Sequence, residues 1–181
     1  ELTFGILEKL RPIFNTTGSI FIYPSSGTGG WECALLNALS PGDKVLAFET
    51  GHFATLWKNV AENLGLHIVW IPGDWRHGIN PSLVEEKLSE DSKHEIKAVL
   101  AVQTETSTGV TSQIPRIRAA IDAAKHPALF LVDTVSSLAC TEFRHDDWGV
   151  DVTVSGSQKG LMLPPGLSFN AVSEQALARA K

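Results

Sequence analysis

Lys159 stands in the stretch Val154-Ser155-Gly156-Ser157-Gln158-Lys159-Gly160-Leu161, just after the apolar run VDVTV. A lysine at the end of a buried strand is partly desolvated. Desolvation favours its neutral amine, which is a nucleophile toward carbonyl carbon. Asp133 closes a second apolar run, ALFLVD, and is followed by TVSS. A carboxylate placed there is costly to bury unless it holds a cation. The third feature is SSGTGGWE, residues 25–32, which follows an apolar run and opens a helical pattern. Its glycines let the backbone approach an anion, and the start of a helix offers free N–H groups and a positive dipole end. Ser25, Ser26 and Thr28 add hydroxyls.

Each feature taken singly has an ordinary reading. The glycine-rich stretch fits a plain turn with a serine N-cap. Asp133 fits a turn or a helix N-cap, and Lys159 fits a side chain turned to solvent. Two known phosphate motifs are absent. No Gly-Lys-Ser/Thr follows the glycines, and Glu32 stands where a dinucleotide fingerprint needs its third glycine.

What must position these residues is a series of short apolar runs alternating with helical patterns. Strands are expected at 19–24, 44–49, 66–71, 96–103, 128–133, 150–155 and 167–173. Helices are expected at 31–39, 53–64, from Pro81 to 90, and at 115–125. Gly65 suits a helix C′ position, and Pro81 the first turn of a helix. Helical patterns also start at Glu1 and end at Lys181. Strands this apolar are buried on both faces, with helices crossing between them. The expected fold is α/β: a three-layer α/β/α arrangement around a mostly parallel sheet. Ligands bind such sheets outside the carboxyl ends of the strands, where all three features fall.

Composition sets the frame. The chain has 181 residues, enough for one domain with a core, with 43% hydrophobic and 19% charged residues. A net charge of −5 without a basic cluster argues against a nucleic-acid partner. No apolar run reaches membrane-spanning length, and no leader segment is expected. Cys33 and Cys140 fit no metal spacing and are expected to stay reduced, in a cytoplasmic setting. His52 is expected at a helix start on the surface, and His145 in a loop. The five tryptophans read as core or interface.

One ligand uses an anion cradle, a strand-end carboxylate and a strand-end lysine together. Pyridoxal phosphate has a phosphate, a pyridine nitrogen that works best protonated beside a carboxylate, and an aldehyde that forms a Schiff base with lysine. The ordered motifs SSGTGGWE, TETSTGV, LVDTVSSL and SGSQKGL, with LSPGDKVLAF and WGVDVTVSGSQK, resemble the class V pyridoxal-phosphate-dependent aminotransferases. The likeness runs over essentially the whole chain and is nearest the serine–glyoxylate and alanine–glyoxylate group. Any one of these motifs alone would be weak; four in order are specific.

The resemblance implies roles. Lys159 matches the Schiff-base lysine and Asp133 the carboxylate on the pyridine nitrogen. Ser26, Gly27 and Thr28 match the phosphate loop, and Gln158 a neighbour that reaches the phosphate. Thr106 matches a hydroxyl near the ring oxygen. Val135 packs under the ring, and Phe53 stacks on its other face in place of the tryptophan frequent in relatives. The implied fold is the large domain of fold-type I enzymes, aspartate aminotransferase-like. The implied partners are an amino acid, a 2-oxo acid and a second copy of the chain. Relatives occur in bacterial cytoplasm and in peroxisomes. Family subunits are about twice as long, so residues 1–181 are expected to be the cofactor-binding part. The amino-terminal arm, the small carboxyl-terminal domain and its carboxylate-binding arginine would lie outside it.

Two other readings remain open on the sequence. A cysteine desulfurase-like lyase needs a mobile reactive cysteine and usually a histidine on the ring, where this chain has Phe53. A non-catalytic module keeping the fold would not need Lys159, Asp133 and the glycine-rich stretch intact. A hydrolase lacks support, because there is no Gly-x-Ser-x-Gly and Gly156 denies Lys159 a Ser-x-x-Lys.

Overall fold

Seven strands form one sheet in the order β1-β7-β6-β5-β4-β2-β3. The computed structural model describes residues 2–180; Glu1 and Lys181, where the terminal helical patterns begin and end, lie outside the described residues. The elements run α1 (Leu2–Phe14), β1 (Ser19–Tyr23), α2 (Gly27–Ala38), β2 (Lys44–Phe48), α3 (His52–Asn63), β3 (His67–Ile71), α4 (Pro81–Glu90), β4 (Ile96–Val102), α5 (Ile114–Ala123), β5 (Leu129–Asp133), β6 (Val152–Gly156), β7 (Ser168–Val172) and α6 (Glu174–Arg179). Strands β6, β5, β4, β2 and β3 pair in parallel. Only β7 opposes them, pairing antiparallel with both β6 and β1. The three-layer, mostly parallel α/β/α arrangement expected from the apolar runs is the one observed.

Strand alternation divides the core in two. In β5, Phe130 and Val132 face one side, where they pack with Phe14 of α1, Leu88 of α4, and Ile117 and Ile121 of α5. Leu129 and Leu131 face the other, with Trp31 and Leu35 of α2 and Trp57 of α3. Phe130, Leu131 and Trp57 are at most 1% exposed. Fully burying a side chain of this size contributes roughly 1.5–3 kcal/mol.

Local signals set the boundaries. Pro81 occupies the first turn of α4, and the Asn80 side chain caps it by accepting from Ser82 N at 3.0 Å. After α3, Gly65 takes φ +81°, and Leu66 N bonds back to Ala61 O at 3.1 Å, closing the helix. Helix α2 starts four residues earlier than its apolar pattern suggests. Gly27, Thr28, Gly29 and Gly30 form its first turn and are not a loop.

Candidate active site

The sites begin where strands end. Asp133 is the last residue of β5, and Lys159 lies just past the end of β6. Thr106 follows β4, Phe53 opens α3 after β2, and Ser26 precedes α2 after β1. The structure gathers all nine residues singled out from the sequence around one cleft of about 200 Å³: Ser26, Gly27, Thr28, Phe53, Thr106, Asp133, Val135, Gln158 and Lys159. Trp31 and Ser136 line it too. Neither was singled out for this role.

The glycine-rich turn serves close approach. Ser26 is the N-cap residue of α2 in extended conformation, yet its hydroxyl makes no capping bond. That leaves the hydroxyl, and the first-turn N–H groups that no helix can satisfy internally, for a ligand. A Cβ on Gly27 would lie 2.6 Å from Val135 Cγ2, so only glycine lets the helix start reach the turn after β5.

Asp133 continues the alternation of Leu129 and Leu131 and so faces α2. It is 4% exposed. Its Oδ1 accepts from Val135 N at 2.6 Å, an Asx-type turn, and its Oδ2 accepts from Trp31 Nε1 at 3.0 Å. Burial pushes this carboxyl up to about 7; the Val135 N–H, the Trp31 N–H and the charge of Lys159 oppose that, while Glu105 adds to it. Among the described residues no cation makes a salt bridge to Asp133. Asp133 is thus a turn residue and also buried, but the cation that the buried reading calls for is not supplied by a salt bridge among the described residues.

Lys159 corrects one expectation: it is exposed, not half-desolvated. It rides on a turn beyond β6, at the rim of the cleft. That turn is fixed by Ser157, whose Oγ donates to Pro164 O at 2.7 Å and whose N–H donates to Leu167 O at 3.0 Å. Gln158 beside it is half-buried, and its Oε1 is buried with no partner among the described residues. The Thr106 and Ser136 hydroxyls bond to each other across the cleft.

Glu105 escaped the sequence reading. It is fully buried and accepts from Phe53 N at 3.3 Å, Ala54 N at 3.0 Å, Ser107 N at 3.1 Å and Ser107 Oγ at 2.8 Å. It thus satisfies the amino end of α3, the turn that carries Phe53. A Cβ on Gly51 would lie 2.4 Å from Glu105 Cγ, so glycine there makes room for the carboxylate. The available signal was an acidic residue between two threonines in TETSTGV.

Other side chains are settled as well. His52 lies exposed at the start of α3, as expected. His145 is more than a loop residue. It is 1% exposed and its Nδ1 meets Thr153 Oγ1 at 2.7 Å. Burial lowers its ring to about 4. Cys140 is exposed and Cys33 half-buried; neither lines the cleft. Among the described residues no group of histidine, cysteine and carboxylate side chains could hold a metal ion, and no helix is long and apolar enough to cross a membrane.

The mixed sheet with its strand-end cleft defines a protein of the aspartate-aminotransferase-like α/β fold, with the amino end of α2, a buried carboxylate and a lysine around one cleft. The chain belongs to the class-V aminotransferase family, whose family model matches residues 5–181. It is 51% identical over 182 residues to a serine–glyoxylate aminotransferase of Methylorubrum extorquens, covering 100% of this chain and 45% of that protein. It is 49% identical over 172 residues to an L-aspartate–glyoxylate aminotransferase of Paracoccus denitrificans, covering 94% and 43%. The solved structure of an alanine–glyoxylate aminotransferase from Nostoc sp. superposes with a TM-score of 0.91 at 29% identity, covering 99% of this chain and 46% of that one. The chain thus spans less than half the length of the curated relatives it matches.

Proposed function

We propose that this chain is the cofactor-binding part of a pyridoxal-phosphate-dependent aminotransferase that passes an amino group to glyoxylate. The observation that carries the reading is the single cleft joining Lys159, Asp133 and the amino end of α2. The residues present fit the cofactor. Asp133 is a buried carboxylate whose two oxygens take only neutral donors, so a protonated ring nitrogen is its chemical complement. The α2 first turn and the unused Ser26 hydroxyl suit a phosphate, with Thr28 and Gln158 beside them. Val135 and Phe53 supply apolar area for a flat ring.

Bound there, pyridoxal phosphate supplies an electron sink for a substrate carbanion. The protein's own groups do the rest. Lys159 Nζ would hold the cofactor through its aldehyde group and, when free, would accept and return the substrate proton. Its place on a fixed turn at the rim keeps it within reach of both roles. Asp133 would keep a proton on the ring nitrogen by its charge, and such a partner would draw its own carboxyl back toward ionisation. Thr106, oriented by Ser136, offers a hydroxyl to the ring substituents.

Names of relatives at 46–51% identity include serine–glyoxylate and L-aspartate–glyoxylate aminotransferases, which supports glyoxylate as acceptor. Serine is the donor proposed, with alanine the alternative. The carboxylate-binding arginine, the small domain and a partner subunit belong to the whole protein, proposed to be a cytoplasmic homodimer. Neither cysteine lines the cleft, which argues against a desulfurase-like lyase.

The test uses the full-length protein. Pyridoxal phosphate should give a visible absorbance band, borohydride should lock the label on Lys159, and serine should be consumed with glyoxylate. A label on another lysine sinks the assignment. Turnover of alanine or aspartate but not serine would overturn the donor alone.

A further inference from the structure

We propose that Trp31 is a positioning residue for Asp133: its indole N–H, held in place by the stack on Trp57, fixes the orientation of the buried carboxylate and favours its ionised form. The inference rests on the function proposed above, but its core concerns two side chains of this chain alone.

Trp31 is 2% exposed and its Nε1 lies 3.0 Å from Asp133 Oδ2. Its ring stacks on Trp57, with centroids 5.7 Å apart and planes 15° from parallel. Trp57 is 1% exposed, and its own N–H has no partner among the described residues, so it contributes packing area and not a hydrogen bond. The wall it forms limits the freedom of the Trp31 ring. The other oxygen of Asp133 is held by a backbone N–H, at Val135. With both oxygens held by donors on different segments, the carboxylate plane cannot turn. Trp31 is the one side chain bonded to it among the described residues. The charged groups felt at Asp133 are Glu105, which opposes ionisation, and Lys159, which favours it. Neither is hydrogen-bonded to it.

The placement has a consequence for the helix. Trp31 sits one turn after Gly27 on α2, and the first turn of α2 lines the other part of the cleft. One rigid helix therefore presents the anion-binding N–H groups and also the donor that orients the carboxylate. The two ends of a ligand lying in this cleft would be read from one body, so their spacing would not depend on a loop. In the sequence Trp31 reads only as an apolar helix residue.

The test compares Trp31→Phe with the wild type in the full-length protein, without added cofactor. Phenylalanine keeps a ring on Trp57 and removes the donor. Carbon-13 labelling of aspartate carboxyls, with Asp133→Asn to identify the signal, reads the Asp133 titration. A charge-assisted hydrogen bond of ordinary strength predicts a midpoint raised by roughly one pH unit or more. An unchanged midpoint overturns the proposal, because a merely structural tryptophan would not move it. Should Trp31→Phe fail to fold, the wild type decides. The nitrogen-15 indole signal of Trp31 should follow the Asp133 titration and lose that pH dependence in Asp133→Asn; an indole signal blind to the titration refutes the coupling. A separate arm adds pyridoxal phosphate to the wild type. Absence of a visible band there would overturn the proposed function and leave the Trp31–Asp133 result standing.

Discussion

Replacing Asp133 with asparagine should change how stability depends on pH, and the direction follows from the site. Burial raises the Asp133 carboxyl from an ordinary 3.8 to about 7. Between those values the folded protein binds a proton that the unfolded chain does not. Stability therefore falls as pH rises through this window, and levels off above it. At about 1.4 kcal/mol per pH unit, the full penalty is on the order of 4 kcal/mol, and the part lost between pH 5 and pH 7 is about 2 kcal/mol, because the carboxyl is still half protonated at pH 7. Asparagine does not titrate. It also points an N–H₂ group at one of the two donors now serving the carboxylate, Val135 N or Trp31 Nε1. That cost, about 1–3 kcal/mol, is the same at every pH. The assay is urea unfolding of the full-length wild type and Asp133→Asn without added cofactor at pH 5, 7 and 8. The wild-type advantage should shrink by about 2 kcal/mol from pH 5 to 7 and by less than about 0.5 kcal/mol more to pH 8. Saturating pyridoxal phosphate should remove most of that decline by giving the carboxylate a cation. Parallel stability profiles for the two proteins would refute the reasoning, since they would mean that Asp133 is not held in a desolvated site.

Three further outcomes are expected. Gly27→Ala places a methyl 2.6 Å from Val135 Cγ2, an overpacking that costs roughly 1–3 kcal/mol; titration with pyridoxal phosphate should show affinity weakened at least about tenfold, and unchanged affinity would place the anion elsewhere. Glu105→Gln keeps the shape but removes the charge that serves the amino end of α3, so the urea midpoint should fall by the equivalent of about 1–3 kcal/mol, with weaker cofactor binding through displaced Phe53; a midpoint equal to wild type would deny Glu105 that part. Sedimentation of the full-length protein should show a dimer burying upward of ~2,000 Å², and an active monomer would contradict it.

The sequence by itself determined the layered α/β fold and marked the glycine-rich stretch, Asp133 and Lys159 at strand ends; the other residues of the cleft were singled out by the resemblance to the family. The reason is local: apolar runs too short for helices must be strands, and chemistry-bearing residues placed directly after them must emerge at one edge of a parallel sheet. Gly27, Asp133 and Lys159 are legible because glycine, a carboxylate and a lysine are each out of place next to buried apolar runs. What the fold alone decided are relations across the sheet. Trp31 and Asp133 are far apart in the chain and meet only because strand alternation turns Asp133 toward α2. Glu105 lies in a polar stretch after β4, and only the fold sets its carboxylate against the amino end of α3. Strand β7 was readable as a strand, but its antiparallel place between β1 and β6 is a matter of pairing, which its apolar pattern does not encode. His145 is polar and sits in a polar stretch, yet packing buries it against Thr153. Lys159 reversed the other way: its neighbours are buried, but the turn fixed by Ser157 lifts it to the rim of the cleft. A residue's type and spacing carry its chemistry, whereas its partners depend on contacts between segments that no local pattern records.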